Sequence, residues 1–134
     1  MALRWYETSV DAHDIGMLAR WWADVLGWRV EFEDEYEVTV VPPEADGDPV
    51  DDLGTWQARR TGLIFAWVPE AKTTKNRLHI DLAPHISQDR DAQIEELLAK
   101  GATHVDVGQD KDVTWTVLAD PEGNEFCVLS SRDR

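Results

Sequence analysis

The stretches LGWRV (26–30) and KGATHV (100–105) each place a glycine just before strand-forming residues, and the two glycines, Gly27 and Gly101, stand 74 positions apart (101 − 27). VVPPE (40–44) and LADPE (118–122) repeat the relation, with Pro43 and Pro121 separated by 78 positions (121 − 43). A period this long exceeds that of a solenoid repeat. It divides the 134 residues into two copies of one small α+β module, about 1–70 and about 76–134, within a single predicted domain. Each module is expected to be a four-stranded sheet covered on one side by a helix.

The patterning inside each copy agrees. Leu3–Val10 reads as a strand, and Ile15, Leu18, Trp22, Val25 and Leu26 then recur at helical spacing until Gly27 stops the run. Strands are predicted over Trp28–Phe32, Glu37–Val41 and Gly62–Val68. Between them EADGDPVDDLGTWQARR is acidic and rich in turn formers, the composition of a mobile loop. The second copy predicts a strand over Arg77–Ala83 and a helix marked by Ile94, Leu97 and Leu98. Strands over Thr103–Val107, Val113–Ala119 and Asn124–Ser130 complete it.

A net charge of −14 and a pI near 4.5 repel phosphate backbones and anionic lipid heads, which argues against nucleic-acid or membrane partners. One cysteine cannot form an internal disulfide, and the first residues lack the apolar run of a signal peptide, so a cytoplasmic location is expected. Seven tryptophans are many for this length; rings of this kind fill cores or line ligand cavities.

The segments SVDAHDIGMLARWWADVLGW, FAWVPEAKTTKNRLHIDLAP, DRDAQIEELLAKGATHVDVG and WTVLADPEGNEFCVL together resemble the glyoxalase-like branch of the vicinal oxygen chelate superfamily. That group also includes glyoxalase I, bleomycin-resistance proteins and extradiol dioxygenases. The resemblance covers nearly the whole chain. It implies an α+β fold of two βαβββ modules forming a curved half-open barrel, with a small-molecule ligand on the concave side, commonly in a homodimer. Metal-using members hold their ion through the first and last strands of each module. Here those places fall on His79, on Trp5 by the 74-residue offset (79 − 74), on Cys127 where the family presents Glu, and within LIFAWV (63–68). Trp5 and LIFAWV carry no donor, so the resemblance implies no metal cofactor of the family type. The alternative is a divalent ion such as zinc at His79 with Cys127, joined by Glu7 or Asp81.

Strand alternation then sorts the candidate ligand-binding residues. Leu78, Ile80 and Leu82 are expected to face the helices, since burial of each is favourable by about 1.5 to 3 kcal/mol. Arg77, His79 and Asp81 project together on the ligand side. His79, with Asp81 raising its basicity, is the candidate general acid/base; the alternative is a self-satisfying polar cluster supporting the sheet. Glu125 and Cys127 share a face, where Cys127 is expected to be an inert small core residue. Trp56, in the acidic loop, is predicted to join Trp5 and Glu7 in a pocket for a flat or apolar molecule, with the loop as lid; packing on a dimer partner or on the outer surface of the sheet is the alternative. Lys72, Lys75 and Arg77 either draw an anionic group toward the cleft or balance the acidic loop. The expected function is binding of a small organic molecule in a Trp-lined cavity without the usual metal. The alternatives are a metal-dependent lyase, isomerase or dioxygenase of the glyoxalase type, and a non-catalytic scaffold or regulatory module.

Overall fold

The duplicated order is realised twice, each time as a four-stranded mixed sheet. The computed structural model describes all residues, 1–134, and they fall into two units, Met1–Glu70 and Ala71–Arg134. No helix is long and apolar enough to cross a membrane.

Unit one runs β1 (Glu7–Ala12), α1 (Ile15–Leu26), β2 (Arg29–Glu33), β3 (Glu37–Val41), α2 (Leu53–Ala58) and β4 (Gly62–Trp67). Its sheet order is β1-β4-β3-β2, with β1 parallel to β4 and the other neighbours antiparallel. The Asp14 side chain accepts the Met17 N–H at 3.2 Å and caps α1, and Gly27 closes it in the left-handed region at φ 65°. Between these caps Ile15, Leu18, Ala19, Trp22 and Ala23 form the buried face, while Val25 and Leu26 are only half-buried. They share the core with Val38, Val40, Leu63 and Phe65.

Unit two runs β5 (Ile80–Leu82), α3 (Arg90–Ala99), β6 (Thr103–His104), β7 (Thr116–Ala119) and β8 (Glu125–Val128), with sheet order β5-β8-β7-β6. Asp89 caps α3 by accepting the Ala92 N–H at 3.1 Å. Ile94, Leu97, Leu118 and Phe126 supply its apolar core.

Several expectations are corrected. The first strand begins at Glu7 rather than Leu3, because its partner β4 begins at Gly62, opposite Glu7, and earlier residues have no ladder to join. Trp5 therefore lies outside the sheet and is 72% exposed. The acidic loop contains α2, capped where the Asp52 carboxylate accepts both the backbone N–H and the hydroxyl of Thr55, at 2.8 and 2.7 Å. The strand expected over Arg77–Ala83 shrinks to three residues, since the chain bends at Arg77 and Leu78. Leu78 is left 91% exposed instead of facing a helix, and Ile80 and Leu82 are half-buried. The strands β6, β7 and β8 are likewise shorter than predicted: only Thr103 and His104 pair with β7, and the β7–β8 ladder runs only over Thr116–Ala119 and Glu125–Val128.

The ladders also reset the correspondence between modules. Val40 pairs with Leu63, which pairs with Thr8; Leu118 pairs with Phe126, which pairs with Ile80. Val40 and Leu118 keep the 78-residue offset (118 − 40), so Thr8 matches Ile80 at an offset of 72 (80 − 8). His79 is thus matched by Glu7, not Trp5, and Cys127 by Ile64. The 74-residue offset fails here because the chain from β5 to α3 is longer than that from β1 to α1.

Candidate functional site

Pairing register assembles the site in unit two. Asp81 is opposite Cys127 across the β5–β8 ladder, and Cys127 is opposite Val117 across β8–β7, so these three side chains form one row on one face. Two-residue periodicity adds His79 beside Asp81, Glu125 and Leu129 beside Cys127, and Trp115 beside Val117. Together with Lys75 and Val107 they line a cavity of about 300 Å³. Its walls divide by chemistry: Val107, Trp115, Val117 and Leu129 are apolar, while His79, Asp81, Glu125, Cys127 and Lys75 form a polar edge.

Each polar group has a defined partner. His79 Nδ1 lies 2.8 Å from Asp81 Oδ1 and 3.9 Å from Cys127 Sγ. The Cys127 residue is 6% exposed, and its thiol is pushed above the ordinary value, chiefly by burial and then by the negative charge of Asp81, against a smaller opposing pull from Lys75. A shift in this direction is opposite to the lowering that activates a nucleophilic thiolate. Glu125 accepts from Lys72 Nζ at 2.9 Å and from the Asn76 N–H at 2.9 Å. Burial pushes its carboxyl upward, but these bonds outweigh that and hold it below the usual carboxylate range.

A carboxylate whose folded value is depressed stabilises the protein above its unfolded value near 4.5 and loses that contribution as pH falls through the lower folded value. Lys72→Met is therefore expected to cost about 1 to 3 kcal/mol at about pH 7, where it strips a mostly buried carboxylate of its cation. The gap from the unsubstituted protein closes on acidification, as urea unfolding at both pH values would measure.

Of the residues singled out from sequence, His79, Asp81, Glu125 and Cys127 come together as expected. Arg77 does not join them: it sits at the bend before β5 and is exposed. Trp5, Glu7 and Trp56 stand in unit one. There Trp5 Nε1 donates to the Glu7 carbonyl at 3.1 Å, and Glu7 is exposed. Trp56 is half-buried on α2 with the Arg4 guanidinium 5.2 Å from its ring; the same group is 4.8 Å from the Tyr6 ring and donates to the Trp56 carbonyl at 3.2 Å. The acidic loop is in this way fastened by a cation–π stack. Lys72 serves Glu125, so of the two expectations for the Lys72, Lys75 and Arg77 cluster, charge balance holds for Lys72, though with Glu125 and not the acidic loop.

Two contributors escape sequence reasoning. Trp115 gives no local sign of which face it takes; the register of Val117 decides it. Arg90 lies at the first turn of α3, where a cation is an odd choice. Its Nε donates to the Leu129 carbonyl at 2.8 Å, and its Nη2 donates to the Val128 carbonyl at 2.8 Å and the Thr116 hydroxyl at 2.9 Å. Arg90 thereby ties the start of β7 to the end of β8.

Comparison with known proteins gives a consistent placement. A glyoxalase/bleomycin resistance protein/dioxygenase family enzyme from Burkholderia phytofirmans PsJN shares the fold at 13% identity and TM-score 0.68, over 97% of this chain and 100% of that one. TnmS3, an antibiotic-binding protein from Streptomyces sp. CB03234, is 18% identical at TM-score 0.59, over 98% and 99%. The bleomycin-binding protein of Streptomyces verticillus is 16% identical at TM-score 0.56, over 97% and 99%. A search of curated proteins gives no significant match. The family model of the glyoxalase-like domain matches residues 7–129, and with two βαβββ modules the chain belongs to that family, within the glyoxalase/bleomycin-resistance/dioxygenase superfamily.

Proposed function

We propose that this protein binds a small organic molecule in the cavity of unit two, with a flat apolar part of the ligand against Trp115 and a polar part at the His79–Asp81 edge. The observation that carries this reading is the division of one concave face into an apolar wall and a narrow polar edge, the general build of a small-molecule site. The volume of about 300 Å³ is at the small end of such sites. Solved relatives that bind bleomycin and another antibiotic support the class of ligand without naming it. The family's metal set is incomplete, because Ile64 stands where Cys127 stands in the other module and carries no donor.

A thermal-shift screen of chelator-stripped protein identifies ligands, since one present at about 100 times its dissociation constant adds roughly 2.7 kcal/mol of stability. For any such ligand, Trp115→Ala is expected to weaken binding by about tenfold or more, the loss of one well-packed ring. An unchanged affinity would place the ligand elsewhere.

A second reading, a metal-dependent lyase, isomerase or dioxygenase with His79 as ligand or general acid/base, is favoured by the closeness of His79, Asp81 and Cys127. A bound divalent ion would polarise a substrate oxygen there. We also propose a homodimer, supported by the exposed apolar side chains of Leu3, Trp5, Tyr6 and Leu78 and by β1 and β5 standing at sheet edges. Light scattering of the purified chain tests it, and a monomer mass would overturn it.

A further inference from the structure

We infer that the ligand of the unit-two cavity is an organic acid, a flat apolar body carrying one carboxylate that Lys75 receives. This rests on the small-molecule reading above and adds the ligand's charge to it. The charge balance of the cavity singles out Lys75. Glu125 is met by Lys72 Nζ and by the Asn76 N–H, both at 2.9 Å, and Asp81 has His79 Nδ1 at 2.8 Å. Lys75 Nζ donates only to the carbonyl of its own neighbour Asn76, at 3.0 Å, and no carboxylate pairs with it. An ammonium has more donors than that single bond uses, and here it belongs to a residue lining the cavity. The chain holds 27 acidic residues, yet the stretch 71–80 carries Lys72, Lys75 and Arg77 with no Asp or Glu among them. In an acidic protein the segment leading into the site is locally basic.

The same segment is anchored so as to hold that cation in place. Glu125 grips the chain on both sides of Lys75, through the Lys72 side chain and the Asn76 backbone, which fastens the residues between them to the start of β8. Anchoring of this kind lowers the ordering cost of binding. The charge is felt inside the cavity, since Lys75 opposes the upward push that burial and Asp81 give the Cys127 thiol. A carboxylate brings one negative charge and matches one unpaired ammonium. A phosphate monoester brings nearly two, close to the carboxylate of Asp81, and fits less well. Trp115 and the apolar wall then receive the rest of the molecule.

The test titrates the full-length, chelator-stripped protein by calorimetry with probes that share one flat shape and differ in charge: cinnamate, its neutral amide, cinnamylammonium and cinnamyl phosphate. Cinnamate is expected to bind about tenfold or more tightly than the amide, the worth of a hydrogen bond to a charged group. Raising the salt concentration narrows that gap, because Lys75 is exposed and its charge is screened. Lys75→Met is expected to bring acid and amide to the same affinity, whereas Lys75→Arg keeps the preference; an exposed position lets both variants keep the fold. Equal affinity for acid and amide, tighter binding of the ammonium or the phosphate, no binding of any of these probes, or a preference that survives in Lys75→Met would overturn the inference. The small-molecule reading fails by a separate result, when no ligand of any charge loses affinity in Trp115→Ala.

Discussion

Phe126→Ala is expected to cost about 3 to 5 kcal/mol of unfolding free energy, a large part of what a domain of this size possesses. The side chain is 1% exposed at the centre of β8, flanked by Ile80 on one neighbouring strand and Leu118 on the other. Removing the ring forfeits its transfer free energy and opens a void that a sheet held on both sides cannot collapse into. Phe126 lies between Glu125 and Cys127 in sequence and points to the opposite face, so its packing fixes theirs. The variant is therefore expected to loosen the cavity as well, whereas Phe126→Leu, which keeps most of the volume, costs less. Urea unfolding of the three proteins measures the difference; a loss under about 1 kcal/mol for Phe126→Ala would show that the ring is not packed as described.

Asp120→Ala is expected to cost about 3 kcal/mol by a different route. Asp120 is 3% exposed, and its Oδ1 accepts the backbone N–H groups of Glu122 and Asn124, both at 3.0 Å, while Oδ2 accepts from Asn124 Nδ2 at 3.2 Å. The turn it organises runs from β7 to β8 and is closed by Asn124 accepting the Asp120 N–H at 2.9 Å. Alanine leaves those donors without their acceptor at about 1 kcal/mol or more each. Asp120→Asn retains an oxygen for the backbone donors but sets one amide against another at Asn124, so an intermediate loss is expected. Equal stability of Asp120→Ala and the unsubstituted protein would contradict this role.

The sequence showed the duplicated architecture because its punctuation is local. Glycine at a helix end and proline after a strand act through their own backbone restrictions, whatever packs around them. The Asp-Pro-x-Gly-Asn turn is legible for the same reason, and so is the face shared by His79 and Asp81, which follows from strand alternation alone. What failed depends on pairing between distant strands. A strand extends only as far as its neighbour does, so nothing within Leu3–Val10 reveals that β4 starts opposite Glu7 and that Trp5 has no ladder to join. Likewise the offset between Gly27 and Gly101 does not carry past a connector of different length, so it points to Trp5 as the counterpart of His79 where the ladders give Glu7. Trp115 joined the site, and Trp56 was fastened by Arg4 rather than left in a mobile loop, through contacts between segments far apart in the chain. Asp52, three residues before Thr55, did carry a helix-start signal inside the acidic loop.

Indole N–H resonances give one probe at each of the seven tryptophans, and their shifts on adding a screened ligand locate it most directly. The Trp115 resonance is expected to move, saturating with the same affinity that stabilises the protein, while those of Trp5 and Trp56 stay in place. Movement of Trp5 or Trp56 with Trp115 unchanged would contradict a binding cavity on the β5–β8–β7 face.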